Sequence, residues 1–259
     1  MAPPFDAGLP SPEAAALLAF VRGLGCSAGI ERSCKIGRDG LDVTRFLLSY
    51  PADPIVVEQT RRFVTDMGLP DMGLREFDAL AGKAVFLHLG SEQGSRLKVY
   101  CEFDPTTGLP APLHRAWKWR PGTPASLVVD DYHVVGSATA DTYRRMLTGA
   151  YGPGEADIAE ACLTLIDVAR EAGDAPMLLE VTRRGAQRRS FDVGLYDAGL
   201  PIAAAGHLLG AAERRFAVEG LATRIEALAD GALLGHVSGG RDDTGAPFVT
   251  LYFGAREFI

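Results

Sequence analysis

Acidic, cationic and phenolic side chains recur at alternate positions on two predicted β-hairpins, and they are the first candidates for chemistry. Glu31 and Lys35 lie on the first strand of one hairpin, and Arg45 lies on its second strand. The other hairpin carries Lys98 and Tyr100. Because alternate residues of a strand point to the same face, each hairpin presents these groups together. Such a face could bind an anion with several oxygens, such as a diphosphate.

The composition describes a folded protein and excludes several classes of partner. The chain has 259 residues, 47% of them hydrophobic, and we expect a single domain over residues 1–259. A net charge of −7 and a pI near 5.3 argue against a nucleic-acid partner, which requires a basic surface. No apolar run is long enough to cross a bilayer, so we expect no membrane partner. We also expect the protein to be cytoplasmic and monomeric. The four cysteines are scattered, which favours buried thiols over a zinc site or a disulfide framework.

The signals for helices and strands repeat in the order of one helix followed by two strands. Ser11 and Pro12 give the first helix an N-cap and a proline in its first turn. A Pro- and Gly-rich stretch from Pro105 to Pro112 interrupts the order. The predicted strands cover about residues 30–37, 41–49, 83–90, 95–103, 114–120, 125–135, 176–184, 188–196, 232–239 and 247–254.

Two parts of the chain resemble each other and form an internal repeat. Val85–His88 and Leu97–Tyr100 correspond in order to Leu233–His236 and Val249–Tyr252, so a tyrosine ends the last strand of each copy. Repeated hairpins separated by helices predict an α+β architecture in which about ten antiparallel strands close into a barrel ringed by α-helices. A barrel of this size has a lumen wide enough for a ligand.

The same hairpins resemble a known family. Glu31-Arg-Ser-Cys-Lys35-Ile, Arg45-Phe-Leu-Leu and Ser95-Arg-Leu-Lys98-Val-Tyr100 are similar to the first strands of the cyanobactin prenyltransferases. These enzymes belong to the ABBA-type prenyltransferases, whose repeated αββα units form a ten-stranded barrel. The resemblance implies that the lumen holds dimethylallyl or geranyl diphosphate with Mg²⁺. It also implies transfer of the prenyl group to a side chain of a ribosomally made peptide, linear or macrocyclic.

Prenyl transfer requires a cage for the leaving diphosphate and a base for the proton of the acceptor. The resemblance matches Glu31 to the general base of the family. The plainer alternative for Glu31 is an exposed charge at a strand end. For Lys35 and Arg45 the alternative is a surface pair with Asp39 or Asp42. For the tyrosines, the alternative is that they are ordinary aromatic residues of the barrel strands. The candidates for the diphosphate cage are Lys35, Arg45, Lys98, Tyr100, Tyr196 and Tyr252.

Further residues are candidates for lining the pocket. Trp117 and Trp119 either line it or pack under the outer helices, and Asp192 and His236 are candidates on the later strands. The sequence contains no His-x-x-x-His or His-Glu-x-x-His motif and no Asp cluster, and the pair Asp130-Asp131 is interpreted as a solvated strand end. We therefore expect no protein metal ligand and Mg²⁺ held mainly through the diphosphate. The glycine-rich segment 235–240 lacks the Gly-Lys-Ser/Thr of a phosphate loop and is interpreted as a hairpin turn.

The sequence therefore predicts a peptide prenyltransferase. The chain stops at Ile259, a few residues beyond the last predicted strand, and we expect this to leave the barrel mouth open to a peptide. Two alternatives keep the fold. One is a prenyltransferase for a small aromatic acceptor, and the other is a catalytically silent barrel that binds an isoprenoid or a peptide.

Overall fold

Ten antiparallel strands close into one barrel, as the sequence predicts. The computed structural model describes residues 11–92, 95–104, 112–136, 138–187 and 189–259. Positions 105–111 of the Pro- and Gly-rich stretch therefore lie outside the described residues. The strands are β1 Gly29–Gly37, β2 Gly40–Pro51, β3 Phe86–Glu92, β4 Arg96–Glu102, β5 His114–Arg120, β6 Thr123–Val134, β7 Met177–Arg183, β8 Arg189–Gly194, β9 Leu234–Arg241 and β10 Pro247–Glu257.

Each strand pairs with its neighbours in the sequence, and β1 closes the barrel against β10. Ser33 of β1 is opposite Arg45 of β2 and Tyr252 of β10. Lys98 of β4 is opposite Lys118 of β5. This register places the candidate site residues from both ends of the chain on the inner wall of the same barrel, and closure leaves no strand edge unpaired.

Helices surround the barrel in two groups. Ser11 Oγ accepts a hydrogen bond from the Ala14 amide at 3.1 Å, which confirms the predicted N-cap of the first helix. Among the described residues, no helix is both long and apolar enough to cross a membrane. The α-helices are α1 Pro12–Gly23, α2 Pro54–Asp66, α3 Asp71–Leu80, α4 Ala140–Tyr151, α5 Ala156–Glu171, α6 Gly206–Phe216 and α7 Leu221–Ala229.

The hydrophobic core lies between the barrel and the helices and not in the lumen. Leu87, Leu89, Leu97 and Val99 point outward from β3 and β4 and are fully buried. They belong to an apolar cluster with residues of α1 to α3, and a second cluster packs residues of α4 to α7 against the other strands. Residues that alternate with this outward apolar face point into the lumen, and many of them are polar.

The two tryptophans of β5 face this outer core, so the expectation that they line the pocket is wrong. Trp117 Nε1 donates a hydrogen bond to Glu76 Oε2 at 3.2 Å, and Trp119 Nε1 donates to the Met67 carbonyl at 2.9 Å. Both rings are buried beneath α2 and α3. Strand alternation then turns Lys118, which lies between them, into the lumen.

The glycine-rich segment 235–240 belongs to strand β9, so its interpretation as a hairpin turn is wrong. The turn follows it, where the Asp242 amide donates to the Ala246 carbonyl at 2.9 Å. A Cβ atom at Gly239 would overlap the hydroxyl of Tyr151. Glycines in a strand permit this kind of close approach by a neighbouring group, and in this strand that requirement explains their presence.

Candidate active site

Two of the cavities lined by the described residues adjoin each other in the lumen, one toward each end of the barrel. The first has a volume of about 300 Å³ and is lined mainly by charged side chains. We call it the cationic pocket; its cations are Lys35, Arg45, Arg96, Lys118, Arg120 and Arg183. The second has a volume of about 330 Å³ and includes Leu47, Leu113, Met177 and Leu179 in its wall. We call it the apolar chamber. The two cavities share Tyr132, Asp192 and Tyr252 as lining residues.

Glu92 holds two of the cations that the sequence predicts for anion binding. Its carboxylate oxygens lie 3.1 Å from Arg45 Nη1 and 3.0 Å from Lys98 Nζ. Burial alone would raise the pKa of Glu92, but the charges of Arg45 and Lys98 outweigh it and hold that pKa well below its ordinary value. Arg45 Nη1 also lies 4.0 Å from Asp42 Oδ2, and the two side chains are only 6% and 9% exposed. The alternative of pairing with Asp42 is therefore confirmed for this residue, but the pair is buried and not at the surface.

Asp130 holds a second pair of cations in the same way. Its Oδ2 lies 2.7 Å from Lys118 Nζ, and Arg183 donates to both carboxylate oxygens, at 2.6 and 2.8 Å. The two bridging carboxylates therefore fix four cations without a ligand. The remaining predicted cation, Lys35, lines the same pocket with its Nζ 4.7 Å from the centre of the Phe248 ring.

Lys98 is the cation whose charge is most sensitive to its surroundings. Burial lowers the pKa of Lys98 to about 7; Glu92 opposes this shift, and repulsion from Arg45 adds to it. An anion bound beside Lys98 would favour its charged form. Binding of a diphosphate here would thus be linked to uptake of a proton.

Three tyrosines, Tyr100, Tyr132 and Tyr252, form what we call the tyrosine layer between the two cavities. The rings of Tyr100 and Tyr132 are 5.9 Å apart between centroids, and Lys118 Nζ lies 5.9 Å from each of them. Burial raises the pKa of both Tyr100 and Tyr132 well above the ordinary value, so their hydroxyls stay protonated. These rings can donate hydrogen bonds and also present π faces to a cation.

Glu31 lies on the opposite side of the tyrosine layer from most of the cations, in a network of hydrogen bonds. Tyr196 Oη donates to both of its carboxylate oxygens, at 3.0 and 3.1 Å. His236 Nε2 is 3.2 Å from Glu31 Oε2, and His236 Nδ1 is 2.8 Å from Asp192 Oδ1. The side chain of Glu31 is 9% exposed, so it is not an exposed charge at a strand end.

The charge state of His236 follows from its two carboxylate neighbours. Burial alone would lower the pKa of His236, but attraction by Asp192 and Glu31 outweighs burial and holds that pKa well above its usual range. The protonated ring donates through both nitrogens and so fixes the position of Glu31.

A glycine in β9 makes room for this network. A Cβ atom at Gly235 would overlap Glu31 Oε1 and would lie 2.7 Å from Cε1 of Tyr196. Because such contacts require the neighbours to shift, Gly235 is the residue that lets Glu31 and Tyr196 meet.

Tyr196 does not line the cationic pocket, and its hydroxyl contacts Glu31 instead, so its binding of the diphosphate stays a prediction. It lies in a short 3-10 turn directly after β8 and lines the apolar chamber. The other predicted residues divide between the cavities: Arg45 and Lys35 line the cationic pocket, Tyr252 and Asp192 line both cavities, and Glu31, Lys98, Tyr100 and His236 line the chamber.

The wall of the apolar chamber also carries two histidines and a glutamate from three adjacent strands. His88 Nε2 lies 2.8 Å from Glu102 Oε2, and His114 Nδ1 lies 3.9 Å from the same oxygen. Burial lowers the pKa of His114 to about 4, so its ring is neutral near neutral pH. The sequence does not reveal this cluster, because its members are separated by long stretches of chain.

Three carboxylates in or beside the cationic pocket are already paired with cations. Mg²⁺ prefers oxygen ligands in octahedral geometry. In the cationic pocket, Glu92 and Asp130 each bridge two cations, and Asp243 pairs with Arg183. These pairs leave the cations of the pocket in place to bind an anion.

Several solved structures share this fold. The 5-dimethylallyltryptophan synthase of Streptomyces coelicolor matches with a TM-score of 0.60 and 15% identity, over 87% of this chain and 80% of that one. PriB in a binary complex with product diphosphate matches with a TM-score of 0.59 and 12% identity, over 96% of this chain and 91% of that one. NotF in complex with brevianamide F and DMSPP matches with a TM-score of 0.55 and 10% identity, over 87% of this chain and 79% of that one. No protein-family model and no curated protein matches the sequence.

The barrel and its helices thus have the fold of the ABBA-type prenyltransferases. Identities of 10 to 15% establish this fold and leave the activity to be argued from the site.

Proposed function

We propose that this protein is a prenyltransferase that moves a dimethylallyl or geranyl group from its diphosphate to a side chain of a ribosomally made, cyanobactin-like peptide. One observation carries the proposal. A cage of buried cations and a hydrogen-bonded glutamate lie on opposite sides of a tyrosine layer in one lumen. This arrangement separates the site for a leaving anion from the site for a base, with π faces between them.

The cationic pocket suits the diphosphate of the donor. Charge-assisted hydrogen bonds contribute about 1.5 to 3 kcal/mol each and strengthen as charge develops on the leaving oxygen. Arg45 and Lys118 of this pocket, and Lys98 at its border with the chamber, are already held by Glu92 and Asp130, so little reorganisation is required when the anion arrives. Arg183 completes this set, and Lys35 adds a further charge at the wall.

The reaction follows from this placement. The bond between the allylic carbon and the diphosphate oxygen breaks, and its electron pair leaves with the diphosphate. The allylic cation then passes the tyrosine layer, whose rings stabilise it and exclude water. A nucleophilic atom of the acceptor forms the new bond to carbon, and Glu31 accepts the proton released from the acceptor.

The contacts of Glu31 fit this role. The acceptor carries a positive charge once it has attacked the cation, which makes it a strong acid. Glu31 therefore accepts this proton although its carboxylate already accepts hydrogen bonds from Tyr196 and His236. The hydrogen bonds hold the carboxylate of Glu31 in one orientation, which favours proton transfer from an acceptor bound at a fixed position.

An apolar rim around the mouth of the chamber supports an acceptor larger than one amino acid. Antiparallel order places the starts of the odd strands and the ends of the even strands at the same end of the barrel as Glu31. Exposed apolar side chains concentrate there, and rims of this kind mark binding surfaces. They are Val85, Phe86, Val134, Met177, Tyr196 and Leu233.

A small aromatic acceptor is the second candidate. It is favoured by the fold shared with the Streptomyces coelicolor synthase, which was crystallised with DMASPP and Trp. The third possibility, a catalytically silent barrel that binds an isoprenoid or a peptide, requires neither Glu31 nor its network. Product formation by the wild type would exclude it.

The test is a transfer assay with dimethylallyl and geranyl diphosphate against peptides, free amino acids, indoles and phenols, with products identified by mass spectrometry. We expect peptide products with either donor. Met177→Ser should raise KM for the peptide, whereas Ile55→Ser on the exposed face of α2 is the control and should not. If free tryptophan or a phenol reacts and peptides do not, the second candidate is correct.

The same assay tests the role of Mg²⁺. The resemblance to the cyanobactin enzymes implies Mg²⁺ carried on the diphosphate, whereas the paired carboxylates of the pocket favour neutralisation of the donor by protein cations. We therefore expect transfer to continue in excess EDTA. Loss of transfer in EDTA, restored by Mg²⁺, would show that the donor carries the metal into the site.

A further inference from the structure

A cluster of nitrogen and oxygen ligand atoms in the wall of the apolar chamber has no part in the proposed transfer. His88, Glu102 and His114 lie on the adjacent strands β3, β4 and β5, close to the mouth of the barrel. Each side chain offers one ligand atom, and the three atoms lie within 4.8 Å of one another. Strand alternation turns all three side chains into the lumen, where they line the chamber.

The distances within the cluster are close to those of a metal site. Glu102 Oε2 lies 2.8 Å from His88 Nε2 and 3.9 Å from His114 Nδ1. In a tetrahedral zinc site, bonds of about 2.0 to 2.2 Å hold nitrogen and oxygen ligand atoms roughly 3.3 to 3.5 Å apart. The observed distances fall on either side of this value. Small side-chain rotations on three fixed strands therefore bring the ligand atoms to it.

The orientation of His88 is set by a neighbour outside the cluster. Ser49 Oγ lies 2.7 Å from His88 Nδ1, so the other ring nitrogen, Nε2, points toward Glu102. Metal-bound histidines almost always use their second nitrogen for a hydrogen bond of this kind, which fixes the ring and the tautomer. When Nδ1–H donates to Ser49, the lone pair of Nε2 is available to a metal.

We propose that His88, Glu102 and His114 form a binding site for a divalent transition metal of the zinc class. Two imidazoles and one carboxylate are a donor set that such metals take, leaving a fourth position for water or an exogenous ligand. Since the three residues line the chamber, this fourth position faces the space where an acceptor would lie. The site is separate from the cations that would hold a diphosphate, and it stands whether or not the protein transfers prenyl groups.

The experiment uses the full chain, freed of metal by EDTA and dialysis. Zn²⁺ is titrated by calorimetry, and Co²⁺ is titrated by visible absorption, which reports tetrahedral coordination. We expect one ion per chain. His114→Ala and Glu102→Gln should each weaken binding by about tenfold or more, and Ser49→Ala should weaken it by roughly 10- to 100-fold, the range for outer hydrogen-bond partners.

The matched control is His207→Ala, which removes an exposed histidine of α6 and should leave metal binding unchanged. Circular dichroism checks that each variant is folded, and Glu102→Gln keeps the shape of its side chain if His114→Ala does not fold. Absence of stoichiometric binding by the folded wild type would overturn the proposal. Equal binding by the wild type and Glu102→Gln would overturn it as well, because the ion would then bind elsewhere.

Discussion

The ring of Tyr252 stacks on the imidazole of His236, with centroids 3.6 Å apart and planes inclined by 16°. Tyr252 lines both cavities of the lumen, whereas His236 contacts Glu31 in the chamber. The stack therefore joins the tyrosine layer to the network around the proposed base. A cation formed at the diphosphate would meet this pair before it reached the acceptor.

Replacing Tyr252 should increase the loss of the allylic cation to water. A cation–π contact contributes about 0.5 to 2 kcal/mol, so Tyr252→Leu should shift the ratio of free prenol to prenylated acceptor by roughly two- to thirtyfold toward the alcohol. Tyr252→Phe keeps the ring and is the control. The ratio is measured by chromatography of single reaction mixtures, and an equal ratio in Tyr252→Leu and the wild type would exclude the shielding role.

Replacing the proposed base should lower the rate without weakening donor binding. General base catalysis contributes roughly 10²- to 10⁴-fold, and we expect Glu31→Gln to lower kcat within this range. His236→Gln should lower it less, because Tyr196 still holds the carboxylate. His207→Gln, at an exposed position, should have no effect. Normal turnover by Glu31→Gln would remove Glu31 from the mechanism.

Adding one methyl group at Gly235 should displace the network. The new Cβ would overlap Glu31 Oε1, so Gly235→Ala should lower kcat by about tenfold or more, a loss of about 1.4 kcal/mol of transition-state stabilisation. Gly149→Ala in α4 is the matched control, because a Cβ there meets no atom within 4 Å. Steady-state kinetics and donor binding are compared for both variants. Unchanged kcat in a folded Gly235→Ala protein would contradict the arrangement of Glu31.

Donor affinity should fall as the pH rises above neutrality. Lys98 has a pKa of about 7, so it is charged below that pH and progressively loses its proton above it. The terminal phosphate of the donor is fully ionised by about pH 7.5, and from there to about pH 9 the dissociation constant should rise by about tenfold. Lys98→Arg, which stays protonated, should give a flatter profile. A flat profile in the wild type would contradict this role of Lys98.

The sequence was sufficient for the barrel because its strand signals are local. Alternating apolar residues, turn residues and the Ser11 cap all act over a few positions, and the observed strands lie close to the predicted ones. The resemblance of Glu31, Lys35, Arg45, Lys98 and Tyr100 to family strands also placed them on one inner wall.

The site residues that the sequence did not predict are those whose role depends on contacts between distant strands. Glu92 and Arg183 become significant only when the register brings them beside Lys98 and Asp130. Tyr132 was missed for the same reason. The interpretation of Asp130 as part of a solvated strand end is wrong, because Asp130 is fully buried and pairs with Lys118. The alternation of β5 already placed Lys118 opposite the two tryptophans, but which face met the lumen was decided by the packing of α2 and α3.

Tyr196 shows the limit of predicting a position from the end of a predicted strand. Its match to the end of a strand suggested a place beside the other phenols, yet β8 ends at Gly194 and the following 3-10 turn carries Tyr196 to Glu31. One turn of chain therefore changed its predicted partner from a diphosphate to a carboxylate.

The most direct test of the central claim is calorimetric titration of the wild type and Lys98→Ala with the unreactive thiolodiphosphate analogues of dimethylallyl and geranyl diphosphate. We expect the wild type to bind at least one analogue, and Lys98→Ala to bind it about tenfold more weakly or worse, a loss of about 1.4 kcal/mol. Lys83→Ala, at an exposed position after α3, should bind like the wild type. No binding by the folded wild type, or equal binding by Lys98→Ala, would contradict the placement of an isoprenoid diphosphate beside Lys98 and Glu92, where the chamber meets the cationic pocket.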